Sequence, residues 1–393
     1  MDHIEKARNL IRSAVHKKGI LASPQDRDNY KRIWARDSVI AGMAGILIND
    51  NLIKNGLKKS LNTLATNQHY SGFIPSNVSV GRKTIVSYGT LTGRVDSTLW
   101  YIIGVCLYFK NTKDKSFLDK HKNHIYRSLN TLETWEFNGR HLIYSPLSGN
   151  WADEYPMHGY LLYDNSLRLW ALKLVNDVFH KKINEEKLKA IQKTIATNFW
   201  PENKKNHKKW IYHKRLYQSE ILEPKSHFLA GFHPAGSYRM FDTAGHAIAS
   251  LAGIPNKAQK DQIILFVKGM ISSFKKPLLP AFWPVIEKGD LLWDQIENNY
   301  SYSFKNKPHH FHNGGIWPVM MGLFLFSYQK EIPIDLYNAM TDTYNELLFQ
   351  NDFQFSEYID SIDFNFGGQK HLCFSAAGTI FMNIPSKMLI NAK

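Results

Sequence analysis

Apolar residues recur along this chain at steps of three and four, and few segments alternate at a step of two. That spacing marks one face of an α-helix. It predicts helices over 2–17, 37–49, 51–67, 94–110, 113–136, 160–180, 183–198, 241–253, 256–274, 315–329, 335–349 and 374–391. In the sixth of these, Leu167, Trp170, Ala171, Leu174 and Val178 form a single apolar stripe. In the fourth, Leu99, Ile102, Ile103 and Cys106 do the same, and Ser97 is placed to cap the first turn. Pro318 stands near the start of the tenth, where its missing N–H costs nothing. About twelve helices with almost no strand predict an all-α fold.

The connections 70–94, 138–159, 218–239, 278–314 and 351–370 are long. They carry Trp, Tyr, Asp, Glu and His rather than Gly and Ser, so they are read as functional loops and not as disordered ones. Their recurrence after roughly each helix pair predicts a toroid of helical hairpins with a site on one face. No linker, low-complexity tract or break in composition divides the chain, so 1–393 is read as one domain.

Composition narrows the classes. Hydrophobic residues are 44% and charged residues 21%, as in a globular protein. Aromatics reach 13%, which suits a flat-ligand or carbohydrate surface as well as a large core. Two cysteines, Cys106 and Cys373, both in apolar surroundings, exclude a disulfide scaffold. No apolar run approaches the ~18 residues of a membrane span. Charges throughout Met1 to Lys17 exclude a signal core, and the chain is expected in the cytoplasm, away from membranes. The net charge of +15 raises the question of nucleic acid, but the lysines are dispersed and no nucleic-acid motif accompanies them. No nucleic-acid partner is expected, and nothing in the pattern specifies an oligomeric state.

The chemistry lies in the loops. Ser148-Gly149-Asn150-Trp151-Ala152-Asp153-Glu154-Tyr155 sets two carboxylates beside an indole just before a helix. A carboxyl desolvated by an indole has a raised pKa and serves as a general acid near neutrality. Phe355-Ser356-Glu357-Tyr358-Ile359-Asp360 supplies a second acidic loop about 200 residues later. Two carboxylates across a cleft are what hydrolysis of a glycosidic bond requires, although acids in such places also cap helices or pair with lysines. Trp34-Ala35-Arg36-Asp37-Ser38 offers a donor fork, an acceptor and an apolar wall, suited to vicinal sugar hydroxyls; an Arg–Asp pair at a helix start is the plainer reading. His309-His310-Phe311-His312-Asn313-Gly314-Gly315-Ile316-Trp317-Pro318 fits no metal-ligand template, so no metal is expected; Asn313 and Trp317 are expected to face substrate. Dinucleotide, Walker, HExxH, GxSxG and Cys-His signatures are absent.

Taken in order, these segments resemble the six-hairpin glycosidases, and most closely the neutral/alkaline invertase family. Arg94-Val95-Asp96-Ser97-Thr98-Leu99-Trp100-Tyr101-Ile102-Ile103 resembles that family's VDSGxWWII segment. His312-Asn313-Gly314-Gly315-Ile316-Trp317-Pro318-Val319 is similar to its HNGGSWPV, and Phe355-Ser356-Glu357-Tyr358-Ile359-Asp360 to its WPEYYD. Arg239-Met240-Phe241-Asp242 falls where the family has RMD, and Trp34-Ala35-Arg36-Asp37-Ser38 looks like the WxRDS of glucoamylases. The resemblance implies an (α/α)6 barrel and an inverting hydrolase without metal or organic cofactor. Its substrate would be a small oligosaccharide or glucoside cleaved at an α-glucosidic bond, with sucrose first. It makes Asp153 the general acid and Glu357 the base that activates water, with Trp34, Arg36, Asp37, Asp96, Trp151, Asp242, His312, Asn313 and Trp317 around the sugar. Where the family has Asp-Arg-Arg, this chain has Asp153-Glu154-Tyr155, so Glu154 stands beside Asp153 as a second candidate acid or substrate contact. Glycogen-debranching α-1,6-glucosidases share this layout. A sugar-binding barrel without catalysis and a phosphorolytic enzyme are the remaining alternatives.

Overall fold

The computed structural model describes residues 3–25, 29–179, 183–203 and 205–384. Among these it contains 14 α-helices and strands of only two or three residues. Six helices are apolar almost all round: α2 (Ala35–Leu47), α4 (Val95–Thr112), α6 (Leu162–Val178), α9 (Thr243–Leu251), α12 (Pro318–Ser327) and α14 (Cys373–Asn383). In α4 every residue from Val95 to Tyr108 is buried. Such a helix belongs in the interior. Here α2 packs on α4, α4 on α6, α6 on α9, α9 on α12, α12 on α14, and α14 back on α2, which closes a ring.

The partner helices α1 (His3–Ser13), α3 (Asn51–Thr66), α5 (Lys115–Thr134), α7 (Glu185–Phe199), α10 (Lys257–Ser272) and α13 (Ile334–Gln350) surround it. These are one-faced: α3 buries Ile53, Gly56, Leu57, Ser60, Leu61 and Leu64, at steps of three and four. Asp50 caps it by accepting from the Leu52 and Ile53 amides. Chain order alternates outer and inner helices, so six hairpins build an (α/α)6 barrel. Contact of α1 with α14 joins the first and last described helices.

The twelve barrel helices are the twelve that the apolar spacing predicts, with informative differences at their ends. The first stops at Ser13 because Val15–His16 and Gly19–Ile20 form a hairpin. α6 and α9 start two residues late because Tyr160–Leu161 and Phe241–Asp242 pair as strands. Ser97 does not cap α4: Arg94 holds the cap position without a side-chain bond, and Ser97 lies inside the first turn. The last helix ends at Asn383, and 385–391 of the predicted one lie outside the described residues. Two short helices inside the long connections, α8 (Lys214–Glu220) and α11 (Trp293–Asn298), are too brief to leave a periodic signal.

Where α12 crosses α14, glycine is required. A Cβ on Gly378 would lie 2.3 Å from the Pro318 carbonyl oxygen and 2.6 Å from Val319 Cα, so the two helix backbones touch directly. Gly378→Ala is expected to lower stability by about 1–3 kcal/mol, as overpacking of a closed core does. The check is a urea midpoint that falls at constant slope; an unchanged midpoint would show that the ring has slack at this crossing.

Candidate active site

All six inner helices begin at the same end of the barrel, and the sequence-predicted site residues sit at those beginnings. Arg36 and Asp37 lie in the first turn of α2 and Asp96 in that of α4; Asp242 is the N-cap of α9 and Trp317 that of α12. Asp153 and Glu154 come from the loop before α6, and Glu357 from the loop before α14. Short strand pairs clamp these entries. Arg32–Trp34 pairs with Asn77–Ser79, Tyr358–Ile359 with Phe366–Gly367, and an Ile316–Ile359 bridge ties the His312 loop to the Glu357 loop.

One side of the site is an ionic grip. Arg36 Nη1 donates to Asp96 Oδ2 at 2.9 Å, and its Nε lies 3.7 Å from Asp37 Oδ2. Burial pulls the Arg36 guanidinium down, but Asp96 and Asp37 outweigh that and hold it above its ordinary value. Burial raises Asp37 despite Arg36. Asp37 Oδ2 and Asp96 Oδ1 are buried and accept no hydrogen bond from the protein. A buried acceptor left bare costs about 1–3 kcal/mol, so both oxygens stand open to a hydrogen-bond donor. Trp34, half-buried, stacks near Tyr30 with centroids 6.4 Å apart and donates its indole N–H to the Asn29 carbonyl.

The other side brings the carboxylates together. Arg94 is fixed by the Ser148 and Asn150 carbonyls and donates to Asp153 Oδ2 at 2.5 Å. Protein crowds Asp153 on most sides, yet 37% of its side chain stays open to solvent. Crowding alone pushes its pKa up, but Arg94, His312 and Arg36 together bring it below the ordinary value. This corrects the expectation that an indole raises it: the nearby guanidinium outweighs the desolvation. Glu154 is different. It is buried, its Oε1 lies 3.5 Å from Lys305 Nζ, its Oε2 has no hydrogen-bond partner, and burial raises it against the pull of Lys305.

Glu357 accepts from the Tyr30 hydroxyl at 2.6 Å on Oε1 and from the Gln369 amide at 3.2 Å on Oε2. Burial raises its pKa, opposed by those two hydrogen bonds and by Lys305, and the charge on Asp153 adds to the rise. Tyr30 is hydrogen-bonded to Glu357, and burial followed by the charge of Glu357, with a smaller part from Asp153, pushes its phenol up. Gly368, at φ +73°, leaves room for the Glu357 carboxylate: a Cβ there would lie 2.3 Å from Oε2.

An aromatic cluster closes the base. Trp151 stacks on Phe282 and meets His312 and Trp317 edge-on; His312 stacks on Trp317, with centroids 4.9 Å apart. His312 is fully buried, burial lowers it to about 3 against the opposing charge of Asp153, and neither ring nitrogen has a partner. Trp317 donates its indole N–H to the Phe311 carbonyl at 2.9 Å. Asn313 does not face the site. Its amide donates to the Ile286 and Asn306 carbonyls and accepts from the Ile286 N–H, all at 3.1 Å or less, so it bolts two loops together. Asp242 caps α9 through the Gly245 N–H, and burial raises it to about 7.

Sequence reasoning missed Asp164, which heads α6 as Asp37 heads α2. Its Oδ2 accepts from Ser145 and Asn150, its Oδ1 is bare, and burial followed by the charge of Asp96 raises it to about 7. The signal was present: Asp37-Ser38, Asp96-Ser97, Asp164-Asn165-Ser166 and Asp242-Thr243 repeat at successive inner helices. Tyr30, Arg94 and Lys305 carry no such signature.

The profile of the alkaline and neutral invertase family matches residues 179–392, more than half of the chain. The chain belongs to this family. The profile of the amylo-α-1,6-glucosidase family matches residues 26–146. No curated protein matches the sequence. Among solved structures, the mannosylglycerate hydrolase of Thermus thermophilus superposes with a TM-score of 0.69 at 10% identity, over 97% of this chain and 99% of that one. A rhamnosidase from Klebsiella oxytoca superposes at 0.59 and 11% identity, over 96% of this chain and 63% of that one. An α-amylase from Clostridium perfringens gives 0.54 at 12%, over 97% of both. At such identities these structures establish the shared barrel; family membership makes the chain a glycoside hydrolase.

Two outcomes test the geometry. Gly368→Ala is expected to displace Glu357 and lower kcat about 100-fold, the scale of a 1 Å misplacement, with the circular dichroism unchanged. Full activity in that variant would separate Glu357 from the reaction. Asp242 has a raised folded-state pKa, so its contribution is complete below its unfolded value and is lost as pH rises toward about 7. Asp242→Asn keeps the cap but cannot ionise. Its Tm relative to the parent chain is therefore expected to climb between pH 4 and 7 and then level off.

Proposed function

We propose that this chain is an inverting hydrolase of α-glucosidic bonds, with sucrose the first candidate, Asp153 the general acid and Glu357 the general base. The observation that carries this is a pair of carboxylates supplied by the loops before two inner helices of one ring, Asp153 solvent-accessible and paired with Arg94, Glu357 buried and fixed at both oxygens by Tyr30 and the Gln369 N–H. Asp153 protonates the glycosidic oxygen as positive charge develops on the sugar ring. Glu357 takes a proton from a water on the opposite face, and that water attacks the anomeric carbon, which inverts. Arg36, Asp37 and Asp96 hold the sugar hydroxyls, and Trp34 walls the ring. Glu154 is less suited to the acid role, because its carboxyl is turned toward Lys305 and is almost wholly covered. Asp153 therefore faces the substrate, with Trp151 in the aromatic cluster at the base, and Glu154 with Lys305 stands behind.

The α-glucoside reading is supported by the invertase and amylo-α-1,6-glucosidase profiles on the two parts of the chain. The structurally similar mannosylglycerate hydrolase has been captured with D-glycerate and with glucose, which supports a small glycoside as substrate. No helix among the described residues is long and apolar enough to cross a membrane, and the buried thiols Cys106 and Cys373 suit a reducing compartment such as the cytoplasm.

The test is turnover of sucrose, maltose, isomaltose, trehalose and glucosylglycerate, with the first-formed anomer followed by NMR. The glucosyl unit of one member is expected to be released as β-glucose, read most cleanly on sucrose or glucosylglycerate, where the leaving group is not glucose; α-glucose as the first-formed anomer of that unit would overturn inversion. Asp153→Asn and Glu357→Gln should each lower kcat on the natural bond by about 10²–10⁴-fold. With an α-glucoside of an acidic phenol, which leaves unprotonated, Asp153→Asn should recover most of its rate and Glu357→Gln none. The reverse pattern would exchange the two roles.

A further inference from the structure

The opposite end of the barrel holds a second cavity, of about 290 Å³, remote from every residue of the active site. It opens between the C-terminal ends of α2, α4, α6 and α9. Along α4 it lies some fourteen residues beyond Asp96, or about 21 Å at 1.5 Å per residue. Its volume is close to the ~300 Å³ at which small-molecule sites begin. Met43, Leu107, Trp170 and Leu174 form a buried floor, while Leu47 and Leu251 form half-buried walls. Trp170 lies edge-on against Trp100 in the core, with ring centroids 6.1 Å apart, so the floor is rigid.

The charges in this cavity are unequal. Lys110 pairs with Asp177 at 3.2 Å, which cancels both. Lys173 has no carboxylate partner among the described residues; its ammonium donates to the Ala252 carbonyl at 2.8 Å. It is half-buried, and burial lowers its pKa. A lysine ammonium carries three donors, so two remain beyond the one given to Ala252. We propose that this cavity binds an amphipathic monoanion, an aromatic or similarly flat apolar body bearing one carboxylate or sulfonate, with the body on the Trp170 floor and the anion on Lys173. An apolar body alone would leave the Lys173 charge unmatched, and a polar sugar would leave the floor unmatched.

The test uses the full chain and two dyes of one shape: 1-anilinonaphthalene-8-sulfonate, an anion, and N-phenyl-1-naphthylamine, its neutral counterpart. Saturable binding of one sulfonate per native chain is expected, with energy transfer from tryptophan and a rise in Tm. The neutral dye should bind about tenfold more weakly, the scale of one charge-assisted contact. Lys173→Met should remove that preference by weakening the sulfonate about tenfold, and Leu174→Trp should block both dyes by filling the floor. Asp153→Asn should leave sulfonate binding unchanged, which separates this site from the catalytic one. No saturable binding, equal affinity for the two dyes, an unaffected Lys173→Met, or competition by the glycoside substrate would each overturn the proposal. Should Leu174→Trp fail to fold, the dye comparison and Lys173→Met decide the matter alone.

Discussion

Everything at the catalytic end depends on one constraint: six apolar helices close a ring with their N-termini together. Each N-terminus presents unpaired N–H groups and a partial positive charge. Carboxylates are therefore favoured there even in a dry interior, and four of the six helices begin with one: Asp37, Asp96, Asp164 and Asp242. The same residues would be costly at the opposite end, where the carbonyls point outward. That end carries Lys110 and Lys173, and the carboxylate at its cavity, Asp177, is paired with Lys110. The polarity of the barrel thus follows from the direction in which its inner helices run.

Helix ends alone do not hold five or more acids in a small volume. Arg36 sits between Asp37 and Asp96, and Arg94 is fixed through Nη1 to backbone carbonyls so that its Nη2 points at Asp153. Where no cation is near, burial prevails, and Asp164 and Asp242 rise to about 7. The site therefore sets one acid held below its ordinary value by a guanidinium, Asp153, beside others raised by burial, among them Asp37 despite Arg36. Rigid loops preserve the arrangement: Asn313 and Asn306 tie the turn before α12 to its neighbours, and the Ile316–Ile359 bridge carries that order to Glu357.

Much of this was legible in the sequence because the inner and outer helices announce themselves differently. A one-faced stripe such as that of α3 and an all-round apolar run such as α12 are local signals, and helix entries follow from them. The acidic loops were legible because carboxylates beside tryptophan are conspicuous. Contacts between distant segments were not. Nothing local announces that Tyr30 reaches Glu357 or that Arg94 reaches Asp153: the first pair needs closure of the ring, the second the packing of neighbouring inner helices. Asn313 misled for the same reason: a polar residue in a glycine-rich turn suggests a ligand contact until its neighbours occupy every donor it has.

The order of the two catalytic carboxyls has a mechanistic consequence under the proposed roles. Arg94 holds Asp153 below its ordinary pKa while burial holds Glu357 above its own, so in the free enzyme a single proton favours Glu357. Hydrolysis requires the opposite placement, a proton on Asp153 and none on Glu357. Under those roles a bound substrate has to reverse that order. A glycoside entering the site covers the exposed edge of Asp153 and removes its water, which raises that carboxyl. It also brings the glycosidic oxygen, an acceptor that rewards the protonated form. Tyr30 and the Gln369 amide meanwhile favour the ionised form of Glu357 from the start. The proton then moves to the acid only when a bond is present to receive it. An enzyme so arranged spends its substrate-binding energy on setting the ionisation state, and a poorly seated glycoside fails at that step even where it binds.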